Sequence, residues 1–177
     1  MILSSSRTSR AVFLDRDGVL NARPPEHEYV TSVDEFEWLP GAREAVVQLK
    51  RGGWTVAVVS NQRGVALGIV STETLREIER RIQGDLAPDT EIDLFSYCPH
   101  DLDEGCDCRK PQPGLIVRAA GDLGVRLAGS WMIGDAESDV SAGRAAGCST
   151  VLLSPEAPDT AADLVKPDLA AAARSLC

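Results

Sequence analysis

The sequence predicts a three-layer α/β fold of Rossmann-like type, with a central parallel sheet carrying helices on both faces. Three observations lead there. Short apolar runs of strand length alternate with segments of helical periodicity. Several of those runs stop abruptly at an acid or another polar residue, as strands do where the carboxyl edge of a sheet meets a ligand. The chain has 177 residues and is 44% apolar, enough for one sizeable core.

Taken in order, strands are expected at 11–15, 55–60, 92–97, 131–134 and 150–153. Helices are expected at 42–51, 72–86, 114–123, 138–146 and 168–176. Pro40-Gly41 precedes the first helix and Gly52-Gly53 closes it. Ser71 or Thr72 caps the second, and Pro113 opens the third. The fourth carries Ala142, Ala145 and Ala146, small enough for close packing on a sheet, and Gly147 ends it. Trp38, Trp54 and Trp131 are read as packing residues. Residues 1–10, rich in Ser and Arg, are expected as a flexible N-terminal arm, and residues 11–177 as a single domain.

Composition narrows the function. No apolar run approaches the roughly 20 residues of a membrane span. The start lacks the apolar core of a secretory signal, so a cytoplasmic protein is expected. A net charge of −9 argues against a nucleic-acid partner. A small phosphorylated ligand stays open, provided that cations are gathered at its site.

Four short motifs carry the chemistry. Asp15-x-Asp17 follows the first apolar run, and two such carboxylates can supply a nucleophile and a general acid/base. Ser60-Asn61-Gln62-Arg63-Gly64 ends the second strand, where a hydroxyl and backbone amides can hold phosphate oxygens. Arg109-Lys110-Pro111 offers two cations just before a helix. Gly134-Asp135 with Asp139 follows the fourth strand, and Asp135 suits a Mg²⁺ oxygen shell. Alone, Asp15-x-Asp17 reads first as a solvated turn and Ser60–Gly64 as a polar turn, whereas the cysteines and Pro113 on either side set Arg109-Lys110 apart from a solvated basic loop. Asp139 is open between metal ligand and helix cap. His27, in the long loop after the first motif, is read as solvated.

The five cysteines are odd in number, and three fall within an eleven-residue stretch. Cys98, His100, Cys106 and Cys108 match a closed tetrahedral Zn²⁺ site, which is structural because no coordination position is free. Such a site would hold the loop that delivers Arg109 and Lys110.

As an ordered set over 11–153, these motifs resemble the haloacid dehalogenase (HAD) phosphohydrolase superfamily. That resemblance implies Asp15 as the nucleophile of an aspartyl-phosphate intermediate and Asp17 as acid/base. Ser60 and Lys110 would hold the phosphoryl group. Asp15, the backbone carbonyl of Asp17, and Asp135 would bind Mg²⁺. Asn61, Arg63 and Arg109 are the expected substrate-binding residues. The stretches DRDGVLN, SNQRG, CPH…CDCRKPQPG and GDAESD resemble a narrower group, the zinc-loop phosphatases of heptose bisphosphate and histidinol phosphate. Within it, the resemblance implies removal of the 7-phosphate of D-glycero-D-manno-heptose 1,7-bisphosphate, in nucleotide-heptose biosynthesis. Histidinol phosphate is the alternative substrate. The spacings from Asp15 to Ser60 and from Ser60 to Lys110 leave no room for a cap domain, and a monomer is expected. Relatives in this group tend to carry Ala-Arg-Gly where this chain has Ala66-Leu67-Gly68, so Arg63 is the expected substitute cation.

Overall fold

A computed structural model describes residues 9–25, 28–156 and 158–177. Residues 1–8 of the expected arm, and His27, lie outside the described residues. Six strands form one parallel sheet: β1 (Arg10–Leu14), β2 (Thr55–Asn61), β3 (Leu94–Cys98), β4 (Arg126–Gly134), β5 (Ser149–Leu153) and β6 (Leu164–Lys166). Their spatial order is β3-β2-β1-β4-β5-β6. The helices are α1 (Ala42–Arg51), α2 (Thr72–Leu86), α3 (Gly114–Leu123), α4 (Glu137–Ala146) and α5 (Leu169–Leu176). Among the described residues no further domain is inserted, as the motif spacing implies.

Alternation along β1 builds the two cores. Val12 and Leu14 pack with Val46 and Leu49 of α1, Ile78 and Ile82 of α2, and Ala172 of α5. Ala11 and Phe13 point the other way, toward Leu115, Ile116 and Ala119 of α3 and Ala142 of α4. A strand buried on both faces reads as a continuous apolar run, which is what residues 11–14 show. The tryptophans pack as expected: Trp54 is buried, and Trp38 and Trp131 lie against the same core as Val12.

Boundary differences have local causes. β3 begins at Leu94, two residues later than expected. The side-chain amide of Gln83 accepts the Ile92 N–H at 2.9 Å and donates to its carbonyl at 2.8 Å, which takes Ile92 out of the ladder. β4 begins five residues earlier, at Arg126 rather than Trp131. Its register shifts between Arg10 and Val12 of β1, where Gly129 adopts φ +82° and Ser130 Oγ accepts the Ala11 N–H at 2.9 Å. The Gly-Ser pair hides this strand from an apolar-run search. The three-residue β6 is too short to register. Asp168 caps α5 rather than joining it, its carboxylate accepting the Ala171 N–H at 2.7 Å. Arg10, assigned above to the arm, belongs to β1.

With β2 and β4 flanking β1, the chain leaves β1 on one side first and later returns on the other. In an open α/β sheet, that change of direction opens a crevice beyond the carboxyl ends of the strands. Asp15, Asn61, Cys98 and Asp135 all stand at that edge.

Phe13, fully buried between β1 and α3, tests the second core. Phe13→Ala is expected to lower unfolding free energy by about 3–5 kcal/mol in urea titrations.

Candidate active site

A cavity of about 380 Å³ opens over the carboxyl edge of the sheet, lined by Asp15, Asp17, Ser60 and Lys110 among others. Asp15 is the residue after β1, and its N–H still donates to the Ile133 carbonyl of β4 at 3.0 Å. The nucleophile candidate thus sits on strand geometry rather than on a loose loop. Its Oδ1 accepts the Arg16 N–H at 2.7 Å and lies 3.1 Å from Lys110 Nζ. Both contacts fall on one oxygen. Oδ2 makes no hydrogen bond among the described residues.

Lys110 reaches the site from the loop between β3 and α3. Its ammonium meets Asp15 Oδ1, meets Asp139 Oδ1 at 2.6 Å, and donates to the Val59 carbonyl at 2.9 Å. Two carboxylates and one hydrogen-bonded carbonyl thus surround a fully buried charge. Burial works against the ammonium, but Asp15 and Asp139 outweigh it and hold Lys110 above its ordinary pKa. Asn61 fixes the backbone of Lys110. Its Oδ1 accepts the Lys110 N–H and its Nδ2 donates to the Lys110 carbonyl, both at 3.0 Å. Expected above as a substrate ligand, Asn61 lines the cavity with its amide committed to that clamp.

Asp139 answers the open question about its role. Its Oδ2 accepts the Ala136 N–H at 3.2 Å at the start of α4, and Oδ1 faces Lys110. Burial, partly opposed by Lys110 and reinforced by Asp15, raises its pKa to about 6. The carboxylate folds back over Gly134, where a Cβ would stand 2.1 Å from its Oδ2. Any larger residue there would eject it.

Asp17 is held from three directions. The Arg16 guanidinium grips it through Nε and Nη2 at 3.0–3.1 Å. Asn21 Nδ2 and Gln62 Nε2 donate to it at 2.9 and 3.1 Å. Gln62 also donates to Ser60 Oγ at 3.1 Å, tying the second motif to the first. Arg16, Asn21 and Gln62 were not singled out as site residues above. The signal for Arg16 was its place between two aspartates on a turn; side-chain direction is not readable from sequence.

Asp135 stands beside the Asp17-Gly18 turn. Gly18 has φ +87°, and a Cβ there would overlap Asp135 Oδ2 at 1.8 Å. Asp135 Oδ1 pairs with Arg23, a residue not expected at the site. Burial and the nearby Asp15 raise the Asp135 pKa against the pull of Arg23. Arg63 and Arg109 also line the cavity. Arg63 pairs with Asp101 at 2.6 Å, whereas Arg109 donates to the His100 carbonyl at 3.4 Å and makes no ion pair among the described residues. Leu67 is exposed and does not line the cavity.

Two donor sets fit metal ions. One carboxylate oxygen from each of Asp15, Asp135 and Asp139 lies within 4.8 Å of the others. All-oxygen donors suit Mg²⁺, which needs few carboxylates and keeps several waters. Because Asp139 is engaged by Lys110 and Ala136, Asp15 and Asp135 are the side chains left for the ion. At the second set, Sγ of Cys98 lies 3.7 Å from Cys106 and 3.2 Å from Cys108. His100 Nδ1 is 3.6 Å from Cys98 and 3.2 Å from Cys108. A tetrahedron with Zn–S near 2.3 Å has S···S edges of about 3.8 Å, so the four atoms already approximate one.

A larger cavity of about 740 Å³ lies on the far side of Asp135, between Leu39, Leu152, Pro155 and Leu169. Its described lining holds Asp135, Glu137, Asp159 and Asp168 and no cation, which makes it unsuited to a phosphate.

Residues 107–173 match the family described as HAD-hydrolase-like. The D-glycero-beta-D-manno-heptose-1,7-bisphosphate 7-phosphatase of Pseudomonas aeruginosa is 41% identical over 143 residues, covering 80% of this chain and 79% of its own. The enzyme of that name from Pseudomonas putida is 38% identical over 94% of this chain and 99% of its own. Among solved structures, the D,D-heptose 1,7-bisphosphate phosphatase of B. bronchiseptica, complexed with magnesium and phosphate, superposes with a TM-score of 0.84. It has 36% identity and covers 94% of this chain and 97% of its own. Motif order, sheet topology and full-length relatives agree: this chain belongs to the heptose-1,7-bisphosphate 7-phosphatase family of HAD-like hydrolases.

Proposed function

We propose that the protein is a Mg²⁺-dependent phosphatase that removes the 7-phosphate of D-glycero-β-D-manno-heptose 1,7-bisphosphate. The carrying observation is Asp15 paired with a buried Lys110 on the floor of a cavity that gathers Arg23, Arg63 and Arg109. In an otherwise acidic chain, that is where a doubly phosphorylated sugar finds cations. The names of the relatives support the heptose bisphosphate over histidinol phosphate.

Asp15 attacks phosphorus, forming an aspartyl-phosphate as the bond from phosphorus to the sugar C7 oxygen breaks. Asp17 gives its proton to that leaving oxygen. Asp17 then takes a proton from water as the water oxygen attacks phosphorus, and the Asp15–phosphate bond breaks to release inorganic phosphate. Lys110 and Ser60 hold the phosphoryl oxygens, and the Asn61 clamp keeps Lys110 in place. Asp15, Asp135 and the Asp17 carbonyl would hold Mg²⁺, which offsets the repulsion between carboxylate and phosphate. Arg109 and Arg63 serve the distal end of the sugar. Cys98, His100, Cys106 and Cys108 would hold a structural Zn²⁺ that fixes the loop before Lys110.

Residues 11–177 act as one catalytic domain in this reading, which is supported by β1 contributing to both cores. No helix among the described residues is long and apolar enough to cross a membrane. A cytoplasmic monomer is part of the same proposal, supported by the thiol set, which suits a reducing compartment.

Initial rates on heptose 1,7-bisphosphate and histidinol phosphate, measured side by side with Mg²⁺, test the substrate. Faster turnover of histidinol phosphate reverses the choice. Asp15→Asn is expected to lower turnover by about 10⁴-fold or more, with loss of the phosphorylated protein seen by mass spectrometry of quenched reactions. Asn61→Ala removes both bonds to the Lys110 backbone. It is expected to lower kcat about 10–100-fold while costing only about 1–3 kcal/mol in urea unfolding. Cys106→Ser, or exhaustive chelation of zinc, should lower the melting temperature first and activity with it. A zinc-free protein of unchanged melting temperature removes the structural role.

A further inference from the structure

We propose that Arg23 is a resident counter-cation that Mg²⁺ must displace from Asp135, and that, once displaced, binds the non-reacting phosphate of the substrate. This rests on the reading above of a Mg²⁺-dependent bisphosphatase and adds to it a residue that sets both metal affinity and substrate choice.

Arg23 comes from the loop that follows the first motif, and it pairs with Asp135 Oδ1. Asp135 is one of the two carboxylates left open for a divalent ion, since Asp139 is engaged by Lys110 and Ala136. Asp135 stands against Gly18 with room for no side chain between them, and Arg23 holds its Oδ1. Guanidinium and metal therefore compete for one carboxylate. The field of the cluster keeps the guanidinium there. Burial alone would lower its pKa, but Asp135, with Asp15 and Asp139 behind it, more than offsets that.

The side chain can leave. It is 52% exposed, against 16% for Asp135. Repulsion adds a push, because a divalent ion at Asp15 and Asp135 would stand beside an arginine already in contact with one of its ligands.

Its destination is set by the inventory of cations. Lys110 belongs to the reacting end, against Asp15, Asp139 and the Val59 carbonyl. Arg63 faces the distal end but shares its charge with Asp101. Arg109 is without an ion pair among the described residues, and a phosphate dianion needs more than one partner. Arg23 lines the same cavity as Arg109, and displacement from Asp135 makes its two-pronged donor available.

The test uses the full-length wild-type protein and Arg23→Gln, which keeps length and removes charge. Isothermal titration with Mg²⁺ alone, without substrate, is expected to show roughly two- to five-fold tighter binding in Arg23→Gln. The ratio of kcat/KM on heptose 1,7-bisphosphate to that on heptose 7-phosphate, both losing the 7-phosphate, is expected to fall about ten-fold in the variant. Unchanged or weaker Mg²⁺ binding overturns the proposal, and so does an unchanged ratio with equal losses on both sugars. The two readings fail separately. Wild-type protein that releases no phosphate from either sugar removes the bisphosphatase, whereas active wild-type protein with an unaltered Arg23→Gln titration removes only the role of Arg23.

Discussion

The ammonium of Lys110, buried among Asp15, Asp139 and the Val59 carbonyl, is the interaction on which the rest depends. A buried lone charge is not tolerated, and a buried pair is weak evidence of stability because desolvation cancels most of its attraction. Its value here is geometric. One cation fixes Asp15 at the end of β1, the first turn of α4 and the carbonyl edge of β2 at once. Breaking any one of these contacts leaves the other charges uncompensated in a dry interior.

Reaching that point takes support from both sides of Lys110. On one side Asn61 holds its backbone like a neighbouring strand would, with one donor and one acceptor. On the other, the thiol-imidazole cluster gathers Cys98 at the end of β3 with Cys106 and Cys108 just before the lysine. Arg63 bridges to Asp101 inside the same loop. The loop thus has fixed ends and a fixed middle, and this explains how a site without a covering domain keeps a lysine buried. The Asp17 carboxylate is treated likewise, with Arg16, Asn21 and Gln62 converging on it.

Much of this was legible in the chain. Apolar runs that end in Asp15, Ser60 and Asp135 revealed both the parallel sheet and its active edge, because strand periodicity and strand ends are local properties. The Cys98, His100, Cys106 and Cys108 donor set was equally local. What escaped depends on direction in space. Arg16 and Arg23 were ordinary loop arginines until the fold turned one inward beneath Asp17 and the other onto Asp135. Asp139 could be read as cap or ligand, and it became a cap that also pairs with Lys110, because Gly134 leaves space for its carboxylate. β6 and the first half of β4 were missed for a different reason. One is three residues long, and the other is interrupted by a glycine-centred bulge, so neither carries an uninterrupted apolar signal.

Asp15 and Asp135 are anchored directly to strand ends and Asp139 to a helix start, whereas Arg23, Arg63 and Arg109 all come from connecting loops. The two sets are therefore under different constraints. A change in sheet register or helix docking moves all three carboxylates together. The loop arginines depend on neither the sheet register nor the helix start, although Arg23 reaches one of those anchors, Asp135. A scaffold divided in this way separates the cations that line the cavity from the carboxylates at its floor, so that each set is built by a different part of the chain.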